Sequence, residues 1–199
     1  MQRHDQPTVR DAVPWLALGC AAVVVGLAAW WLSGPTSLRA GTDAYGVTTA
    51  ATASAGTHWY GTEPLCVTSA GVVVQDIWPA NLHGSGEVGF GTREVYGEFG
   101  GLTGHMLAEP PGWQEATGSD VVEQCAPGDV MRQVVVRMER AGSDPLMVDG
   151  LQVRYADAHG RTSVLSMPAR FTLCGESHAN DLLPEDVRET CTEFGDDPD

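Results

Sequence analysis

The chain has 199 residues, 26 of them acidic and 11 basic, for a formal charge of −15, and every basic residue other than histidine is an arginine. Arg3 and Arg10 cancel Asp5 and Asp11, so the negative excess lies beyond the first 32 residues, which excludes nucleic acid and anionic headgroups as partners of that part. The absence of lysine beside abundant Ala, Gly and Val reads as the codon bias of a GC-rich genome.

Residues 1–14 are polar and too short to fold, and are expected to be a cytoplasmic stub. Residues 15–32, WLALGCAAVVVGLAAWWL, carry no charge. With Ala12 to Leu32 helical, the run spans roughly 31 Å, close to a bilayer's hydrocarbon core. Trp15 at one end and Trp30 and Trp31 at the other, about 23 Å apart, suit the two headgroup levels. Pro14 fits a first helical turn, and Ser33-Gly34-Pro35 ends the helix. A transmembrane helix in the lipid bilayer is therefore expected. The rivals are a cleaved signal peptide, which needs a shorter apolar run and a small-residue cleavage site, and a lipoprotein modified at Cys20. Arg3 and Arg10 precede the helix and only Arg39 follows closely, so the positive-inside rule puts the N-terminus in the cytoplasm.

Residues 33–57 hold nine Ser or Thr mixed with Ala and Gly and show no periodicity, which predicts a flexible stalk, with O-glycosylation as a sharper reading. Residues 58–192 are expected to be one extracytoplasmic domain, and 193–199 an acidic tail. Gly71–Trp78 reads as a strand closed by Pro79. Residues 87–99 read as one or two strands, but eight glycines between Gly84 and Gly104 argue for bulges, an edge or a loop. Residues 100–128 are expected to be a long loop. Val130–Arg140 alternates with period two. Val130, Val134, Val136 and Met138 share one face, with Arg132 the exception, while Met131, Gln133, Val135, Arg137 and Glu139 share the other, which predicts a half-exposed strand. Leu151–Tyr155 follows with Leu151, Val153 and Tyr155 inward, then a turn at Asp157–Gly160 with Gly160 suited to positive φ. Thr162–Ser166 and Arg170–Cys174 complete an expected β-meander, and Leu182–Thr190 is expected to be a short helix.

Cys66, Cys125, Cys174 and Cys191 lie beyond the apolar run, which suggests two disulfides in an oxidising compartment. Their spacings do not match zinc-ligand patterns. The preferred pairing is Cys66–Cys125 with a local Cys174–Cys191 staple; Cys66–Cys174 is nearly as good. Short strands at regular intervals and these staples predict a mainly β domain, an antiparallel β-sandwich of immunoglobulin-like architecture, with Trp78 or Trp113 as the candidate core tryptophan.

No motif identifies catalytic, cofactor-binding or metal-binding residues. Gly84–Gly89 satisfies GxGxxG, but a nucleotide site needs a preceding parallel strand and a following helix, and a glycine-rich strand is expected instead. The six histidines fall in no ligating pattern and are expected to be surface loop residues; His83, His105 and Glu87 meeting around a metal is the alternative. There is no GxSxG elbow. Trp59, Tyr60, Trp78, Phe90, Tyr96, Phe99 and Trp113 are expected chiefly in the core, with a sugar or peptide platform as the alternative.

Pro64-Leu65-Cys66 and Phe171-Thr172-Leu173-Cys174, together with the layout, resemble single-pass or secreted actinobacterial proteins that have an apolar segment, a small-residue stalk and a cysteine-containing β-rich domain. The resemblance implies location in the cell membrane and carries over no catalytic residue. The expected role is a non-catalytic interaction module that binds another envelope or membrane protein. The alternatives are a small-molecule or glycan-binding module and an extracytoplasmic hydrolase.

Overall fold

Strand-forming stretches of β-branched and aromatic residues build two sheets in this computed structural model, which describes residues 37–40, 45–49, 56–67, 71–96, 104–106, 108–116, 118, 120–122 and 130–195. All belong to one unit, Thr36–Asp199. Residues 15–32, with Trp15, Trp30 and Trp31, lie outside the described residues. Among those described, no helix is long and apolar enough to cross a membrane.

In chain order the strands are β1 (Leu38–Arg39), β2 (Tyr45–Thr49), β3 (Thr57–Val67), β4 (Val72–Gly84), β5 (Gly86–Tyr96), β6 (Gly104–Met106), β7 (Gln114–Glu115), β8 (Asp120–Val122), β9 (Val130–Arg140), β10 (Leu146–Ala156) and β11 (Thr162–Leu173). A 3-10 turn, Ser177–Leu182, and helix α1, Glu185–Gly195, follow. One sheet runs β1-β3-β9-β5-β7, with β6 also paired to β3; the other runs β2-β11-β10-β4-β8. Tyr60, Val134, Val136 and Met138 from the first meet Val148, Val153, Phe171 and Leu173 from the second in one core. The mainly β, two-sheet expectation stands.

Several finer expectations are corrected. The stretch read as a stalk, 33–57, supplies two strands. Leu38 is buried beside β3, and β2 pairs with β11 in parallel, so the sheets are not wholly antiparallel. Pro79 does not close its strand. β4 continues through it to Gly84, because beyond Val74 no described strand pairs with it on its β8 side, and a residue without an N–H costs no ladder bond there. Residues 86–96 form one strand paired to β9 over its whole length. The expected long loop contains β6, β7 and β8. Thr162–Leu173 is one strand with a bulge, and β9 belongs to the other sheet, so the back half is a hairpin and not a meander.

β9 is not half-exposed. Gln133, Val134, Val135 and Val136 are all fully buried, because β9 lies between β3 and β5 and its outer face is covered. There Gly61, Val135 and Gly91 stand in register, and a Cβ on Gly91 would lie 2.5 Å from Trp113 Nε1, so the missing side chain admits the indole. Gln133 accepts from Arg93 Nε at 2.7 Å and donates to the carbonyl of Thr62 in the β3 bulge.

The turn after β10 forms as expected. Gly160 has φ +76°, and Asp157 Oδ1 accepts from the backbone N–H groups of His159 and Arg161. Helix α1 starts after Pro184 with Glu185 and Asp186 in its first turn and runs three residues into the stretch assigned to the tail. Val187 and Leu183 pack with Met147 against the outer face of the second sheet, beside the Cys174–Cys191 disulfide.

Candidate functional site

Two places in the described structure concentrate polar groups. The first is a groove of about 600 Å³ across the outer face of the second sheet, spanning β2, β4, β10 and β11. Its origin is backbone geometry. Gly150 takes φ +77°, and opposite it β11 carries an extra residue, since Asp149 pairs with Arg170 but Leu151 with Met167. The bulge separates the strands' side chains and leaves a depression floored by Gly46, Ala80 and Gly150. Asn81, Gln152 and Ser166 line it; Ser166 Oγ donates to Gln152 Oε1 at 3.0 Å. At one end Arg170 donates to Asp149 at 2.9 Å and to Asp186 of α1 at 2.5 Å. These two carboxylates hold its pKa above the usual arginine value, chiefly through the Asp149 hydrogen bond. Trp78 is paired with Gln152 on the same face, and the Arg154 guanidinium sits 5.0 Å above its ring.

The second place lies at one end of the core. His58 on β3 and His105 on β6 share the inner face of their sheet with Tyr60, which pairs with His105. His58 Nδ1 and His105 Nε2 are 2.8 Å apart, and the ring centroids 5.1 Å apart. The centroid distance is close to the N···N distance plus the two centroid-to-nitrogen lengths, so the rings meet nitrogen to nitrogen along one line. That alignment suits one proton shared between them. Lone pairs aimed at one another do not converge on a common ion. Burial first, then His105 and the Arg140 cation, hold the His58 pKa below its usual value; burial does the same for His105. Arg140 is a diagonal neighbour, two residues beyond the Met138 that pairs with His58. It donates to the carbonyls of Ser143 and Cys174 at 3.2 and 2.9 Å. His58 Nε2 and Arg140 Nε are both buried with no hydrogen-bond partner. Tyr60 reaches Thr49 of β2 across the core at 2.8 Å, and burial raises its phenol well above the usual range.

The expectation of surface histidines fails for His58 and His105, which lie in strands, His58 buried. It holds for the exposed His159, while His83 lies half-buried on β4. The sequence offers one signal for the pair, that His58 and Tyr60 alternate in phase, but Gly61 and Pro64 hide the strand. His83, His105 and Glu87 do not assemble. Among the described residues no three His, Cys, Asp or Glu side chains are placed to hold a metal ion. Gly84–Gly89 is the passage from β4 to β5 and leads into a strand, without the helix that a pyrophosphate site requires.

Cys174 and Cys191 are disulfide-bonded. Cys66 is also disulfide-bonded, which removes the Cys66–Cys174 alternative; Cys125 lies outside the described residues. Trp113 is not a core tryptophan, since it packs edge-on against Trp59 on the outer face of the first sheet. Trp78 is on the outer face of the second. Tyr60 and Phe90 join the core. Phe99 and the Tyr96 side chain lie outside the described residues. The chain matches no protein-family model and no curated protein.

Proposed function

We propose that this chain is a membrane-anchored interaction module of the cell envelope, held by residues 15–32 and presenting an immunoglobulin-like sandwich outside the cytoplasm. The single observation that supports an interaction role is the groove over the Gly150 bulge, with Trp78 beside it and Leu82 and Val164 about half exposed on the same sheet. A kinked sheet face that combines neutral polar groups, a tryptophan and a few exposed aliphatic side chains suits a protein partner. The extracytoplasmic location is supported by the Cys174–Cys191 bond, since such bonds persist in oxidising compartments. The second disulfide is assigned to Cys66 and Cys125, and the resemblance to actinobacterial single-pass proteins agrees with this layout.

The test places a photoreactive amino acid at Ser166 or Asn81, and at Glu63 on the other sheet as control, in the full-length chain within its own envelope. One defined adduct from positions 166 and 81 but not from 63 is the expected result. No adduct from the groove positions, or equal adducts from all three, would overturn it.

A second reading, a glycan-binding module, is favoured by one observation: Trp78 flanks a groove lined by Asn81, Gln152 and Ser166, the neutral hydrogen-bonding groups that a sugar uses. Trp59 and Trp113 oppose it, because they pack on one another.

A further inference from the structure

We propose that the His58–His105 pair is an acid-operated latch, holding β6 on the edge of β3 while at least one of its two rings is neutral and releasing β6 when both are protonated. In an N–H···N contact one imidazole donates and the other accepts. A first added proton can sit on a nitrogen outside the contact and leaves the N–H···N bond in place, but at 2.8 Å, with the rings aligned end to end, protonation of both rings would put two N–H groups head to head. The contact then has to open, and the two histidines are not equally free to move. His58 is 3% exposed and sits in an eleven-residue strand paired to β9 from Thr57 to Leu65. His105 is in the middle of a three-residue strand whose ladder, among the described residues, is with Trp59, Tyr60 and Gly61. The weaker element moves, and the edge of β3 from Trp59 to Gly61 is left unpaired.

Among the described residues, no negative charge acts on the pair to stabilise its doubly protonated form. On β3 the next inner-face residue is Tyr60, un-ionised and bonded to Thr49. β9 presents Met138 and Arg140, and the opposite sheet presents Thr49 and Phe171 near Tyr60. Glu87 and Glu139 are exposed on the other face of the first sheet. Arg140 is thus the one charged group among the described residues that acts on His58, and it repels the added proton. Burial and His105 act on His58 in the same direction. His58 Nε2, buried and unpartnered, cannot gain a hydrogen bond to offset a charge on the ring.

The latch is independent of what the groove binds. It is tested on the full-length chain in detergent micelles by backbone hydrogen exchange, corrected for intrinsic rates, between about pH 7.5 and about pH 5. The expected result is a loss of protection of about tenfold or more at residues 57–61 and 104–106, with residues 151–155 of β10 unchanged. The double variant His58→Gln/His105→Gln keeps hydrogen-bonding groups that do not titrate here, and should lose the pH dependence. If that variant does not fold, the imidazole proton resonances of the wild type decide. Two coupled steps, the second displaced to lower pH, support the latch. Independent titration of both rings near their usual value, unchanged protection at 104–106, or equal loss across β9–β11 would overturn it.

Discussion

The indole of Trp113 stands edge-on to that of Trp59, with ring centroids 4.9 Å apart and planes at 73°. The two come from β3 and from the approach to β7, and they meet over the outer face of the first sheet. Such edge-to-face pairs are favourable beyond the area that they bury. They also explain why a strand with three glycines, at 86, 89 and 91, holds beside β9: an indole occupies the place of the missing side chain at Gly91.

Gly91→Ala should therefore be disruptive although the backbone there is ordinary. The new Cβ would lie 2.2 Å from the Gln114 carbonyl oxygen and 2.5 Å from Trp113 Nε1. The carbonyl belongs to the β7 main chain and cannot swing aside. A loss of about 1–3 kcal/mol in urea unfolding, with a changed near-ultraviolet tryptophan signal, is expected. An unchanged signal with unchanged stability would show that Trp113 does not sit over Gly91.

Replacing both Cys174 and Cys191 by serine should lower the free energy of opening helix α1 from the sheet by about 3 kcal/mol, because the bond closes a loop of 17 residues. The loss should be local. Met147, Leu183 and Val187 form their own cluster, so α1 should exchange its amides faster while β3, β5 and β9 do not. Peptide mapping of the variant by mass spectrometry should still find Cys66 oxidised.

Asp157→Ala should loosen the β10–β11 turn. Oδ1 accepts from the His159 and Arg161 N–H groups at 2.9 and 3.0 Å, and Oδ2 from Arg161 Nε at 2.7 Å. Losing these should cost about 1–3 kcal/mol, read as a lower thermal midpoint. Gly160, with φ +76°, cannot close the turn alone.

Stability should fall with acid in two windows. His58 and His105 have pKa values lowered from 6.5, so the unfolded chain binds protons that the folded chain refuses. Their effect is absent well above 6.5 and grows as the pH falls below it. Asp157 acts lower. Burial opposes its charge, but the hydrogen bonds from Arg161 and His159 and the Arg161 cation outweigh that and hold its pKa below 3.8. Its contribution is present above 3.8 and is lost as the pH falls through the folded value. A thermal midpoint measured against pH should show an upper step that disappears in His58→Gln/His105→Gln.

Strands that obey a simple alternation were legible. Leu151, Val153 and Tyr155 point inward as their spacing predicts, and the Asp157–Gly160 turn follows from its residue types. What could not be read were places where neighbours override local pattern. Pro79 reads as a strand end and is tolerated because, at its position, no described strand pairs on the β8 side of β4. The Thr- and Ala-rich stretch from 33 reads as a stalk, yet Tyr45–Thr49 adds to β11, since a short parallel edge strand needs only a free edge. The candidate groove left no motif, because it comes from a bulge at Gly150 and Pro168 and not from a run of polar residues.

The amino-acid sequence by itself determined the acidic balance, the apolar segment at 15–32, the cysteines available for staples and the alternation that makes the chain mainly β. These are properties of residues taken one at a time or in short windows. Only the tertiary structure decided which strands share a sheet, that β9 is buried on both faces, and that His58 meets His105. Contacts between residues 47 positions apart depend on strand order and register, and no local window contains that information.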